Sequence, residues 1–301
     1  MSLDGKVALI TGGTSGMGLA CAITMAKEGA TIVVCGRHSK KWTSARKKIP
    51  PELKDHIGYR KCDVRIEGDI TKVIDQMHSQ YGYIDIFVNC AGVQPVNDGD
   101  ITKMEFESVE EKDYIVFRIP KKKTKGCGSY QSTPVSDYCE SPLATSVFGI
   151  FFSLKQEIKY ALEKQPEDRP VSIVSISSRN GILPDAHRPD YAAAKAFIGN
   201  LTQSLAAQVA QKVYQTKRKG SIRVNCIAPG PVDTPLETAL FKHYEQEATK
   251  GVPMGRTAKP EEIAPLILFL CQPDLSGYIT GSVIPIDGGH TGAPVTGSLV
   301  K

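Results

Sequence analysis

The segment Val7-Ala8-Leu9-Ile10-Thr11-Gly12-Gly13-Thr14-Ser15-Gly16-Met17-Gly18 decides how the rest of the chain is read. Its leading apolar residues read as a buried strand. Its glycines permit a tight turn with positive φ and a close backbone approach by a ligand. The residues that follow suit a helix to about Gly29. A helix N-terminus offers free N–H groups and the positive end of the helix dipole, which favours a phosphate. A glycine turn alone is a weak signal. Placed between a first strand and a first helix, it predicts the phosphate loop of a doubly wound nucleotide-binding sheet.

Working outward, short apolar runs alternate with helical patterns. Strands are expected at 31–35, 57–63, 84–88, 171–176 and 221–227, with a seventh at 283–286 on the far edge of the sheet. Helices are expected at 39–48, 66–81, 143–164, 190–215, 236–250 and 260–272. In 66–81, Ile66, Ile70, Val73, Ile74 and Met77 fall on one helical face. Strands that are nearly all apolar indicate a parallel sheet covered on both sides. The expected fold is α/β: three layers around a seven-stranded parallel sheet, in one dinucleotide-binding and catalytic domain over 1–301.

The rhythm breaks between about 97 and 142. Acids from Asp98 to Asp113 give way to Arg118, Lys121, Lys122, Lys123 and Lys125, and no helix period persists. This stretch reads as a surface insertion carrying a short hairpin at Tyr114-Ile115-Val116-Phe117. Residues 291–301 read as a tail.

The chain has 301 residues, a formal net charge of +5 and 41% apolar residues, ordinary values for a globular protein. Basic residues are spread along it, which argues against nucleic acid as the partner. No run approaches the roughly 18 apolar residues of a membrane helix. The N-terminus lacks a signal-peptide pattern, so a cytoplasmic setting is expected. The eight cysteines form no C-x-x-C pair and no metal-ligand spacing, and read as buried reduced thiols.

Two further groups of residues carry chemistry. Cys35-Gly36-Arg37-His38 ends the second strand without an acid, where an acid would bind a ribose 2′-hydroxyl. Arg37 can instead pair with a 2′-phosphate, which favours NADP(H) over NAD(H). Tyr191 and Lys195 are four apart on a helix and share a face. A phenol is a poor base at neutral pH, but an ammonium beside it favours the phenolate. Ser178 lies just beyond the fifth strand, where open α/β sheets place ligands, and its hydroxyl can donate to a carbonyl oxygen.

Taken with Asp63-Val64, Asn89-Cys90-Ala91-Gly92, Arg223-Val224-Asn225-Cys226-Ile227-Ala228-Pro229-Gly230 and Asp287-Gly288-Gly289, these residues resemble a short-chain dehydrogenase/reductase of the short-subunit branch. The resemblance spans residues 5–290 apart from the insertion. It implies a Rossmann fold and a cofactor site at Gly12, Thr14, Ser15, Gly16, Met17 and Gly18, with Arg37 marking NADP(H) preference. It further implies that Asp63 and Val64 border the adenine and that Asn89 steadies the central strand. Ala91 and Gly92 would border the nicotinamide ribose, and Pro229, Gly230, Val232 and Thr234 the nicotinamide amide. Tyr191 would be the acid/base, with Lys195 lowering its pKa and binding the ribose. A carbonyl or secondary-alcohol substrate and a homodimer or homotetramer are implied as well.

The chain departs from the family in two places. Ser146 stands where the family has a relay asparagine, and the separation from Asn89 to Ser146 is about 30 residues longer than usual. The expected activity is that of an NADP-dependent carbonyl or 3-oxoacyl reductase. The rival is a catalytically weak NADP(H)-binding sensor or interaction protein. The glycine spacing argues against an extended-branch epimerase or dehydratase.

Overall fold

In the computed structural model, residues 2–92, 107–111, 114–118, 144–235, 249 and 251–292 are described. Seven strands form one parallel sheet: β1 Val7–Thr11, β2 Thr31–Gly36, β3 Ile57–Lys61, β4 Ile86–Asn89, β7 Val171–Ile176, β8 Ile222–Pro229 and β9 Val283–Ile286. The strand order is β3-β2-β1-β4-β7-β8-β9, with every neighbouring pair parallel. Within the insertion, β5 Glu107–Glu111 and β6 Tyr114–Arg118 pair antiparallel as a separate two-stranded sheet. The expected hairpin is therefore present.

The helices are α1 Gly16–Lys27, α2 Ser39–Arg46, α3 Glu67–Tyr81, α4 Ile150–Glu163, α5 Pro189–Thr216, α6 Pro260–Cys271 and the short α7 Pro273–Ser276. Alternate strand residues feed two cores, as the pleat requires. Leu9, Val33, Phe87, Ile173 and Val224 meet Ile70 and Val73 of α3, Leu154 of α4 and Ile198 of α5. Ile10, Val34, Val88 and Val174 meet Met25 of α1 and Ile263 and Ile267 of α6 on the other face. This gives the three layers expected from the strand composition. Within the described residues, no helix is long and apolar enough to cross a membrane.

Several boundaries differ from expectation. The third strand stops at Lys61, and the fourth begins at Ile86 rather than Ile84. The amide of Ile84 bonds to Gln165 Oε1 (3.1 Å), and the Asp85 carboxylate accepts from the Val7 amide (2.9 Å). The helix expected over 143–164 starts as a wider π-type turn, Ala144–Gly149, before α4. Cys21, Cys35, Cys62, Cys226 and Cys271 are buried and free, and Cys90 is partly buried. Lys121 to Lys125, Cys127, Cys139, the helix expected at 236–250 with its Phe241, and the tail from 293 lie outside the described residues, Thr249 apart.

The chain runs from β1 outward to β3, then returns to place β4 on the other side of β1. Ligands of open α/β sheets bind at such a switch point, beyond the strand C-termini.

Candidate active site

The glycine turn and the β4 end meet at that switch point. Gly12 has φ +68°, and a Cβ there would lie 2.7 Å from the Ala91 amide. No larger residue fits that approach. Gly16 has φ +51°, and its missing Cβ would face Thr234 Cγ2 at 3.1 Å. The turn thus faces the segment after β8, in which Val232 bridges to Ala258 and is buried with Thr234. Gly230 is pressed against Asp287, whose Cα would be 2.8 Å from an added Cβ. Gly18 packs on the Gly12 carbonyl, while Met17 leans on the core.

Ser15 precedes α1 in extended conformation, and its side chain does not cap the helix. The first-turn N–H groups of α1 keep the anion-binding capacity expected of a helix start. Thr14 packs beside Gly36, and Arg37 follows at the end of β2. The Arg37 charge reaches the Asp63 carboxyl. Arg65 grips Asp63 through Nε (2.9 Å to Oδ1) and Nη2 (2.5 Å to Oδ2). Burial alone pushes the Asp63 carboxyl up, but these bonds outweigh it and leave it below the usual range. Sequence reading singled out Asp63 but not Arg65, which modifies the edge that would meet an adenine. Val64 is buried against Gly149. The set fits a dinucleotide: a backbone cradle too tight for side chains, a helix start, and cationic side chains at one end.

Ser178 lies on the turn after β7, and Tyr191 and Lys195 lie on α5, which packs against that turn. Ser178 caps a 3₁₀ turn, Arg179–Gly181, directly after β7, and its Oγ accepts from the Asn180 amide (3.2 Å). Pro189 starts α5 and sets the helix carrying Tyr191 and Lys195, both buried. Lys195 Nζ donates to the Ile176 carbonyl (3.0 Å) and lies 5.7 Å from the Tyr191 ring centroid. A Cβ on Gly92 would be 3.8 Å from the same Nζ, so the β4 end borders the lysine. Ser177 Oγ donates to the Lys195 carbonyl (2.7 Å), tying β7 to α5. Burial pushes the Lys195 ammonium down to about 8. His187, a loop residue, gives its amide to Asp185. Met254 is exposed, and Trp42 stacks on Tyr59 at 5.5 Å between centroids.

Comparison with known proteins bears on the family and the fold. The family model described as short chain dehydrogenase matches residues 6–113, and the one described as enoyl-(acyl carrier protein) reductase matches residues 128–291. A short-chain type dehydrogenase/reductase of Acanthamoeba polyphaga mimivirus, itself uncharacterized, is 39% identical over 99% of this chain and 100% of its own. The chain belongs to the short-chain dehydrogenase/reductase family. The 3-oxoacyl-(acyl-carrier-protein) reductase FabG of Thermotoga maritima is 32% identical over 96% of this chain and 99% of its own. Among solved structures, a short-chain type dehydrogenase/reductase of Mycobacterium marinum covers 96% of this chain and 97% of its own at TM-score 0.75 and 27% identity. A 3-ketoacyl-(acyl-carrier-protein) reductase of Brucella melitensis complexed with NADH covers 96% of this chain and 100% of its own at TM-score 0.73 and 26% identity. The protein is therefore an oxidoreductase of a family that uses nicotinamide cofactors. Between them, the two family matches leave out residues 114–127, inside the insertion.

Behind the site, this short-chain dehydrogenase/reductase has a polar layer that sequence reading largely missed. Ser146 is 0% exposed, and its Oγ has no hydrogen-bond partner among the described residues. Asn89, opposite Ser175 in the sheet, donates through Nδ2 to Glu157 Oε2 (2.9 Å). Asn89 Oδ1 and the hydroxyls of Ser153 and Ser175 are buried without partners among the described residues. Burial pushes the Glu157 carboxyl up to about 8 despite the asparagine bond. In sequence Glu157 is one more polar position on a helix, and only the fold turns it inward.

Proposed function

We propose that the protein is an NADP(H)-dependent reductase of a carbonyl group, or the reverse dehydrogenase of a secondary alcohol. The position of Lys195 between the Tyr191 ring and Gly92, with Ser178 on the turn that packs against the same helix, carries this reading. When bound, the cofactor would supply or accept a hydride at its nicotinamide ring. The glycine turn, Gly12 to Gly18, and the start of α1 would hold the pyrophosphate. Arg37 would pair with the 2′-phosphate, and Asp63 and Val64 would border the adenine. Ala91, Gly92 and Lys195 would hold the nicotinamide ribose. Pro229, Gly230, Val232 and Thr234 would flank the amide.

Ser178 Oγ would donate a hydrogen bond to the carbonyl oxygen and fix its direction. Tyr191 would give its phenolic proton to that oxygen in reduction and take it back in oxidation. Lys195 would hold the phenolate electrostatically, a role its buried position strengthens. Together these groups orient and polarise the substrate, and general acid catalysis by the phenol adds about 10²–10⁴-fold.

The named relatives support 3-oxoacyl thioesters as a first substrate class to try. The exposed Phe148 and Phe151 support a homodimer or homotetramer joined through α4 and α5. Ser146, buried without a partner among the described residues, keeps a second reading open: a nucleotide-binding protein without turnover. A panel of ketones, quinones and 3-oxoacyl thioesters with NADPH separates the two. Oxidation of NADPH by at least one class is expected; binding of NADPH with no turnover across the panel favours the sensor.

A further inference from the structure

The loop between the 3₁₀ turn and α5 brings a second cation to the tyrosine. Arg188 directly precedes α5, three residues before Tyr191, whereas Lys195 follows it by four. Residues three and four apart on a helix are neighbours. The Arg188 guanidinium carbon is 5.4 Å from the Tyr191 ring centroid, close to the 5.7 Å of Lys195 Nζ. Both distances are within cation–π range. Arg188 is pinned there by Asp185, which accepts from its Nε (3.1 Å) and pairs with its Nη2 (3.0 Å). Asp185 is itself held by Asn180 Nδ2 (2.7 Å) and the His187 amide (2.9 Å).

We propose that Arg188 is a second positioning cation for the Tyr191 phenol, and that Asp185 sets how much of its charge the ring feels. This rests on Tyr191 being the acid/base. A cation favours the phenolate, and a carboxylate bonded to that cation offsets part of the effect. Other charged or titratable groups lie on the same and neighbouring segments. Lys195 and Asp190 belong to α5, His187 to the loop, Arg179 to the 3₁₀ turn and His290 to the segment after β9. The Arg179 charge acts on Asp185 and His290. The thiols of Cys90 and Cys226 near Lys195 are both pushed up to about 12 by burial, so they stay neutral. Asp185 is pushed up by burial, but the His187 amide and Arg188 outweigh this and keep it ionised.

The test titrates the phenol directly in the full chain. The ultraviolet difference between each protein and its Tyr191→Phe counterpart reports the Tyr191 phenolate. Arg188→Gln is expected to raise its pKa by roughly 0.5–1 unit. Arg188→Lys is expected to restore most of the original value. Asp185→Asn, which keeps the size of the side chain, is expected to lower it. Opposite shifts from the two neutralisations are a signature that mere loosening of the loop does not produce. No shift in either variant, or shifts of the same sign, overturns the proposal. If Tyr191→Phe retains turnover on the substrate panel, the acid/base reading itself fails, whatever the titration shows.

Discussion

Glu157 holds a carboxyl group away from solvent, with Asn89 as its hydrogen-bond donor. Burial raises its pKa to about 8, and that has a definite sign for stability. Above its ordinary range the unfolded carboxyl loses its proton while the folded one keeps it. The folded state therefore loses stability as pH climbs from about 4.5 to about 8, at up to roughly 1.4 kcal/mol per unit. Glu157→Gln removes this titration. Urea unfolding at pH 5 and pH 8 should show the variant gaining a few kcal/mol on wild type over that range; an unchanged difference contradicts it. Arg37 is the second residue-scale lever. If it binds the 2′-phosphate, Arg37→Ala should weaken NADPH at least about tenfold and leave NADH nearly unchanged, by fluorescence titration of each. Arg37 was legible because its strand end lacks an acid. Arg65 was not, because its pairing with Asp63 depends on how the chain turns after β3. Glu157 was invisible for the same kind of reason: helical spacing cannot say which polar residue a sheet will cover.

The glycine turn is the element on which the cofactor reading depends. Gly12→Ala would place a Cβ 2.7 Å from the Ala91 amide at a left-handed backbone angle. A cost of about 1–3 kcal/mol is expected, together with loss of the stabilisation that NADPH gives wild type. Thermal melts with and without NADPH check both. The strands themselves were readable from their apolar runs, and the turn from its place after β1. Their ends were less so. The fourth run begins two residues before the strand because the Ile84 amide bonds to the Gln165 side chain in place of a neighbouring strand, whereas the Asp85 backbone already meets Val7 and Ser172. Strand β8 runs on to Pro229 because β9, distant in sequence, supplies partners for Ala228 and Pro229. The π-type turn at Ala144–Gly149 left no composition signal, although such turns gather at functional sites.

Over the whole molecule, the seven-stranded sheet and the helices of its two covering layers contain no residue of the insertion. The β5–β6 hairpin pairs only with itself among the described residues, so it adds no strand to the main sheet. Replacing residues 97–142 with a short polar linker is expected to keep the far-ultraviolet circular dichroism of an α/β fold and a cooperative melt. Loss of cooperativity would show that the insertion belongs to the core. The unusual length of the chain thus marks an addition near the switch point, just ahead of the turn that carries Ser146. The central claim is that Tyr191 moves the proton while Ser178 and Lys195 position the reaction. Its most direct test is steady-state NADPH oxidation by wild type and Tyr191→Phe with the best carbonyl substrate from the panel. A loss of about 10²–10⁴-fold in kcat, with NADPH affinity retained, is the predicted result. Equal turnover by the two proteins would contradict it.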